Sequence, residues 1–279
     1  MFETQLGSPC VYSSLSARAL DASVVVGSKV GSDLRTSQLG SLEKAGVDTS
    51  YVHRIKGRTT AFRIDYENNV RSMWVISRCR PLTRRDLTNL PKSTSIHLGP
   101  ILNEIPQPVA MWLTERGAVM SLDAQGFMRK TLRDGRVSRV VWRNRRLLNR
   151  LDVLKVSQNE AAVMLGEVLS IRKLKRLGPD VVLVTKAGSG TTMWSREQGL
   201  LEVPAFKTKV RDSTGSGDAL VGAMLVTWAR TGDLLWAVAV GSAVASFVVE
   251  RVSPKNFGTS KLIEERAGVI VDRVKKIHS

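Results

Sequence analysis

The stretch RDSTGSGDALVGAML, residues 211–225, sets Asp218 directly after Gly215, Ser216 and Gly217 and ahead of an apolar run with helical spacing. Residues this small let another molecule approach the backbone closely. At a helix start the first amides lack intrahelical acceptors and the helix dipole is positive, so such a loop suits an anion. A carboxylate beside a phosphate is a poor binding group. It makes sense as a base that takes a proton from a hydroxyl while the amides hold a transferring phosphoryl group. Taken alone, the same residues fit a plain capped turn equally well. Two other phosphate motifs fail on spacing. The dinucleotide pattern G-x-G-x-x-G needs glycine at position 220, which is Leu220, and the P-loop pattern G-x-x-x-x-G-K-[ST] occurs nowhere.

Strands alternating with helices must carry this loop. PCVYSSLSARAL (9–20) reads as a helix with Pro9 in its first turn, SVVVG as a strand over 23–27, and DLRTSQLGSLEKAGV as a helix closed by Gly46. From residue 51 the pattern alternates polar and apolar residues. Turn signals at Lys56-Gly57 and Glu67-Asn68-Asn69 predict two or three antiparallel strands, a small flap over 51–78. The strand–helix rhythm then resumes, with strands at 93–99, up to Asp123, at 151–157 and over 179–190, the last entering a Gly-rich turn. A hairpin turns at Gln198-Gly199, and helices follow at 215–230, 233–250 and 260–276. Such alternation implies a doubly wound, mostly parallel α/β sheet, whose ligands sit beyond the C-terminal strand ends.

Composition narrows the classes. Forty-two Lys and Arg against 25 Asp and Glu give a formal net charge of +17. That balance favours anionic partners, although its spread along the chain also fits a solvated basic surface. Aromatic residues make up 5%, too few for a base-stacking platform, which argues against nucleic acid. No run of about 18 apolar residues suggests a membrane span. Cys10 and Cys79 do not form a C-x-x-C pair, which suits a reducing, cytoplasmic setting, and the three scattered histidines do not suggest zinc.

DSTGSGD resembles the D-T-x-G-A-G-D signature of the ribokinase-like (PfkB) carbohydrate kinases, with Ser213 and Ser216 as mild changes. Further matches run along the chain. VVVGSKVGSDL with LEKAGVDTSYV is similar to the family's V-G-x-V-G-x-D and G-V-D-T segments, and GRTTAFRIDY to the start of its lid. DVLKVSQNEAAVMLG is similar to its N-x-x-E strand end and VVLVTKAGSG to its T-x-G-x-x-G turn. SLDAQGFMR resembles a version found in a subgroup near archaeal and bacterial inositol and nucleoside kinases. The resemblance implies a ribokinase-like fold, with a main domain over 1–50 and 79–279 and a β lid over 51–78. It implies transfer of the γ-phosphoryl of ATP, with Mg²⁺, to a hydroxyl of a sugar, polyol or nucleoside, by a monomer or homodimer. Asp218 would be the base and Gly215, Ser216 and Gly217 the anion hole. Thr185, Gly188, Gly190, Thr214 and Ser157 would attend ATP. Glu160 would hold magnesium through water, and Asp212 falls where some members bind a monovalent cation. Gly7 and Arg58 would face the acceptor, and Asp123, Gln125 and Arg129, at a strand end, the acceptor or the phosphates.

The chain departs from the family pattern in several places. Ser157 replaces the Asn of N-x-x-E, and Ala187 the middle Gly of T-x-G-x-x-G. Gly7 keeps one half of an N-terminal Gly-Gly. The family's first strand, with its acidic substrate contact, has no counterpart ahead of Gly7, and the expectation is a start codon called too late or a truncated chain. The competing reading is a catalytically impaired relative that binds nucleotide or nucleic acid through its basic surface.

Overall fold

The protein is described here by a computed structural model that covers residues 5–67, 70–166 and 170–277. Helix α1 (Pro9–Arg18) leads into short strands β1 (Val24–Val25) and β2 (Ser28–Gly31), then α2 (Thr36–Lys44). Strand β3 (Val47–Asp48) pairs parallel with β1, and β4 (Val52–Ile55) pairs parallel with β2. Strands β5 (Ala61–Glu67) and β6 (Val70–Ser77) form an antiparallel hairpin. Next come α3 (Arg84–Leu87), β7 (Ser95–Leu98), α4 (Gln107–Leu113) and β8 (Val119–Asp123). A second hairpin, β9 (Arg129–Thr131) and β10 (Val137–Arg139), precedes α5 (Arg145–Leu148), β11 (Val153–Ser157), α6 (Gln158–Leu165) and α7 (Ile171–Lys175). The chain continues through β12 (Val181–Thr185), β13 (Thr191–Ser195), β14 (Gly199–Val203), α8 (Ser216–Thr231), α9 (Leu234–Val248), α10 (Ser260–Val271) and β15 (Lys275–Ile277).

Seven of these strands form the central sheet, in the order β15-β14-β13-β12-β11-β8-β7. Strands β7, β8, β11 and β12 are parallel, because each connection between them crosses over through helical or looped segments. The remaining three are antiparallel. Each face of the sheet buries its own apolar layer. Val153, Val181, Leu183 and Met193 pack with α8, α9 and α10. Leu98, Leu122, Leu154 and Val182 pack with Leu113, Leu148 and Met164 on the opposite side. The two-residue period of a strand explains the division, since successive side chains leave opposite faces.

The structure corrects four local expectations. Strand β4 does not join an antiparallel flap; helix α2 intervenes between β2 and β4, and a crossover delivers the returning strand in parallel. The strand expected over 23–27 is reduced to Val24–Val25, and a separate strand, β2, follows at Ser28–Gly31. The last helix stops at Val271, and Lys275–Ile277 adds to the free edge of β14, where its lysines keep that edge polar. The β9–β10 hairpin was not anticipated, although Asp134-Gly135 is a hairpin turn signal. The expected turn at Asn68-Asn69 lies outside the described residues.

Candidate functional site

Helix α8 begins where the glycine-rich loop ends. Gly215 is its N-cap, in the left-handed region at φ 78°. A Cβ there would come within 2.3 Å of the Tyr12 ring, so the loop lies flat on α1. The Ser13 hydroxyl donates to the Asp218 carbonyl at 2.9 Å and ties the first turn of α8 to α1. Asp212 shapes the approach, its Oδ1 accepting from the Thr214 amide at 2.9 Å. The amides of Arg211 and Asp212 donate to the Val249 carbonyl at 2.7 and 3.2 Å, which anchors the loop to the end of α9. The Ser216 amide turns back to Ser213 at 3.4 Å. Among the described residues the amides of Gly217 and Asp218 have no acceptor, as expected at a helix start.

Beneath this turn lies a charged pair inside the sheet. Register pairs Lys155 of β11 with Asp123 of β8, so both side chains leave the sheet on the same face as α8. Lys155 Nζ is 2.7 Å from Asp123 Oδ2, with side-chain exposures of 8% and 0%. The same ammonium would lie 2.8 Å from a Cβ on Gly217, so only glycine lets the cation approach the loop this closely. Burial alone would lower the Lys155 pKa. The charges of Asp123, Asp218 and Glu160 outweigh it and hold the ammonium firmly protonated.

Asp218 sits half-buried in this setting. Burial is the larger influence and raises its carboxyl pKa to about 7, against the opposing pull of Lys155. Such a group can accept a proton near neutral pH. Cys10 faces it from α1; burial, reinforced by the charge of Glu104, pushes that thiol up to about 11 and keeps it neutral. One row further down the sheet, His97 of β7 contacts the Ser121 hydroxyl at 3.2 Å. Burial and then Lys155 push its pKa down to about 3, so the imidazole is uncharged.

The other candidate residues divide into those the fold brings to this place and those it does not. Asp123 is fully buried, and its carboxylate is engaged by Lys155 and by the Gln125 amide at 3.0 Å. Gln125 accepts from the Arg129 guanidinium at 2.6 Å, and Arg129 also donates to the Ile101 carbonyl at 3.0 Å. Arg129 and Asp218 influence each other's charge, which places that guanidinium on the acid's side of the fold. Ser157 and Glu160 form a reciprocal cap on α6. The Ser157 hydroxyl accepts from the Glu160 amide at 3.3 Å, and Glu160 Oε2 from the Ser157 amide at 2.8 Å. Thr185 ends β12 and leads into the 187–189 turn. There Ala187 adopts φ 48°, the left-handed region that a glycine would occupy without strain. Gly188 is open, whereas Gly190 packs on the Val203 carbonyl, 2.2 Å from its ideal Cβ. Gly7 is exposed and open. The Arg58 side chain is 68% exposed and pairs loosely with Asp33 at 3.9 Å.

Sequence reasoning missed Lys155. Its signal was present: a lone cation within the apolar strand LDVLKVS, two residues before the strand ends. Among the described residues no cluster of three metal-binding side chains occurs.

A mostly parallel α/β sheet that presents a helix start, amides without an acceptor among the described residues and a carboxyl whose pKa is raised to about 7 suits an enzyme that handles phosphate. Residues 123–261 match the family model for pfkB family carbohydrate kinases, and the chain belongs to that family through this stretch. Curated relatives include the bifunctional protein HldE of Nitrobacter hamburgensis, 32% identical over 102 residues, which are 36% of this chain and 21% of that protein. HldE of Bradyrhizobium diazoefficiens is 30% identical over 115 residues, 41% of this chain and 23% of that protein. The matched stretches thus span about a fifth of the length of these relatives. Solved structures share the fold. A pyrophosphate-dependent kinase in the ribokinase family, complexed with a pyrophosphate analog and myo-inositol, superposes with TM-score 0.78 at 24% identity, covering 95% of this chain and 92% of that one. Arabidopsis thaliana ribokinase, complexed with ribose and ATP, gives TM-score 0.76 at 16% identity, covering 95% and 88%. The nucleoside kinase of Methanocaldococcus jannaschii gives 0.72 at 18%, covering 96% and 88%.

Proposed function

We propose that the protein is an ATP-dependent small-molecule kinase acting on a hydroxyl of a sugar, polyol or nucleoside. The observation that carries this reading is the convergence of the Gly217 and Asp218 amides, the Lys155 ammonium and the Asp218 carboxyl at the start of α8. The acceptor oxygen attacks the γ-phosphorus in line. Its bond to phosphorus forms as the bond to the β,γ-bridging oxygen breaks, ADP leaves, and the hydroxyl proton passes to Asp218. The amides and Lys155 meet the charge that develops on the transferred group.

Magnesium fits this site only as a guest of the nucleotide. Glu160 has one oxygen committed to the α6 cap and one left over, which suits an ion that keeps its waters and binds mainly through phosphates. Bound there, it would neutralise the β- and γ-phosphate oxygens. Asp212, with Oδ1 engaged by Thr214, offers Oδ2 to a monovalent cation. The β5–β6 hairpin, acting as a lid, would exclude water from the acceptor.

A screen of sugars, inositols and nucleosides, read as ADP release with ATP as donor and as orthophosphate release with inorganic pyrophosphate as donor, tests this reading. It expects one acceptor class to stimulate ATP consumption well above the acceptor-free rate. Turnover confined to pyrophosphate would replace the donor, and none with either would overturn the reading. With Asp218 as base, the ionised form is the active one. Activity is therefore expected to rise with pH through about 7 and to level off above it, as a pH profile of kcat/KM would read.

A further inference from the structure

This inference rests on the kinase reading and concerns how the base is kept free. Two carboxylates compete for the Lys155 ammonium. Asp123 holds it at 2.7 Å, while Gly217, at which an added Cβ would lie 2.8 Å from the cation, immediately precedes Asp218. Among the described residues Lys155 forms its ion pair with Asp123 and none with Asp218. Asp123 is well placed to win this competition. Its backbone is locked in the sheet opposite Lys155, and Oδ1 is fixed by the Gln125 amide at 3.0 Å.

We propose that Asp123 is a positioning residue that sequesters the Lys155 ammonium and so keeps Asp218 out of an ion pair and available as a base. A carboxylate captured by a buried ammonium is a weaker base, because the cation stabilises its ionised form. It also turns its oxygens away from an acceptor hydroxyl. Asp123 therefore serves the reaction without touching the substrate, which accounts for an acid that has no exposed surface yet lies behind the base. The charged and titratable groups facing Asp218 are Lys155 from β11, Asp123 from β8, Arg129 from β9, Glu160 from α6 and Cys10 from α1.

The decisive comparison is between D123N and D123N/K155M, with Asp218 followed by carboxyl ¹³C NMR across pH and its signal assigned by D218N. In D123N the ammonium loses its partner and turns to Asp218. The Asp218 midpoint should then lie at least about one unit below that of D123N/K155M, where no ammonium remains. The double variant removes both members of the buried pair, so neither is left as an uncompensated charge, and it guards against a folding failure of D123N alone. Coincident midpoints in the two variants would overturn the proposal. Turnover follows the same logic. D123N should fall at least about tenfold below wild type at neutral pH as the base weakens, and wild-type turnover in D123N would overturn the proposal. The titration needs no substrate, so it stands whether or not an acceptor is found. A wild-type protein that phosphorylates nothing would instead sink the kinase reading itself.

Discussion

Asp218→Asn is expected to lower turnover by at least ~100-fold, the usual contribution of a general base. An amide of the same shape keeps the first turn of α8, because the Ser13 hydroxyl bonds the residue-218 backbone carbonyl and not its side chain. What it loses is the proton acceptor, whose pKa the buried setting raises towards neutrality. Nucleotide binding should survive, since the Gly217 amide and Lys155 are unchanged. Isothermal titration with ATP beside steady-state kinetics separates the two effects. Near-normal turnover in the purified variant would remove Asp218 from the role of base.

The second large effect is expected at Gly215. Its φ of 78° is strained for any residue with a side chain, and an added methyl would lie 2.3 to 2.4 Å from three atoms of the Tyr12 ring. Tyr12 is 2% exposed and packed in the core, so it has little room to yield. Gly215→Ala should therefore cost about 3 kcal/mol, from backbone strain and overpacking together. In a chain of this size that lowers Tm by roughly 5–10 °C. It should also displace the amides at the start of α8 and weaken phosphate binding. Gly188→Ala supplies the control, because nothing lies within 4 Å of its added Cβ. Its Tm should stay close to that of the wild type. Equal melting temperatures for the two variants would show that the loop is not pressed against α1 as described.

Much of this site was legible in the sequence, and the reasons it was so are local. The glycines, the acid and the helix start of residues 215–218 fall within one short stretch, so spacing alone reveals them. The parallel strands read clearly because β11 and β12 are nearly continuous apolar runs, as doubly covered strands must be. What escaped depends on register. Lys155 and Asp123 are 32 residues apart, and only the pairing of β8 with β11 shows that the cation and the acid share a face. For the same reason the sequence shows Asp123 as a polar residue at a strand end but not as the partner of Lys155. Ser157 and Glu160 illustrate a different difficulty. S-x-x-E is both a departure from N-x-x-E and a helix-capping pair, and the structure uses it as the cap. The left-handed backbone of Ala187 could not be read from its residue type, because alanine seldom adopts that conformation.

The central claim is that one place in the fold, the start of α8, receives the phosphoryl group. A crystal structure of the protein with a non-hydrolysable ATP analogue and Mg²⁺ tests it most directly. The account predicts the terminal phosphate within hydrogen-bonding distance of the Gly217 amide, with Asp218 facing the side from which a hydroxyl would attack. An analogue bound elsewhere on the basic surface, with the start of α8 closed over by side chains, would contradict it.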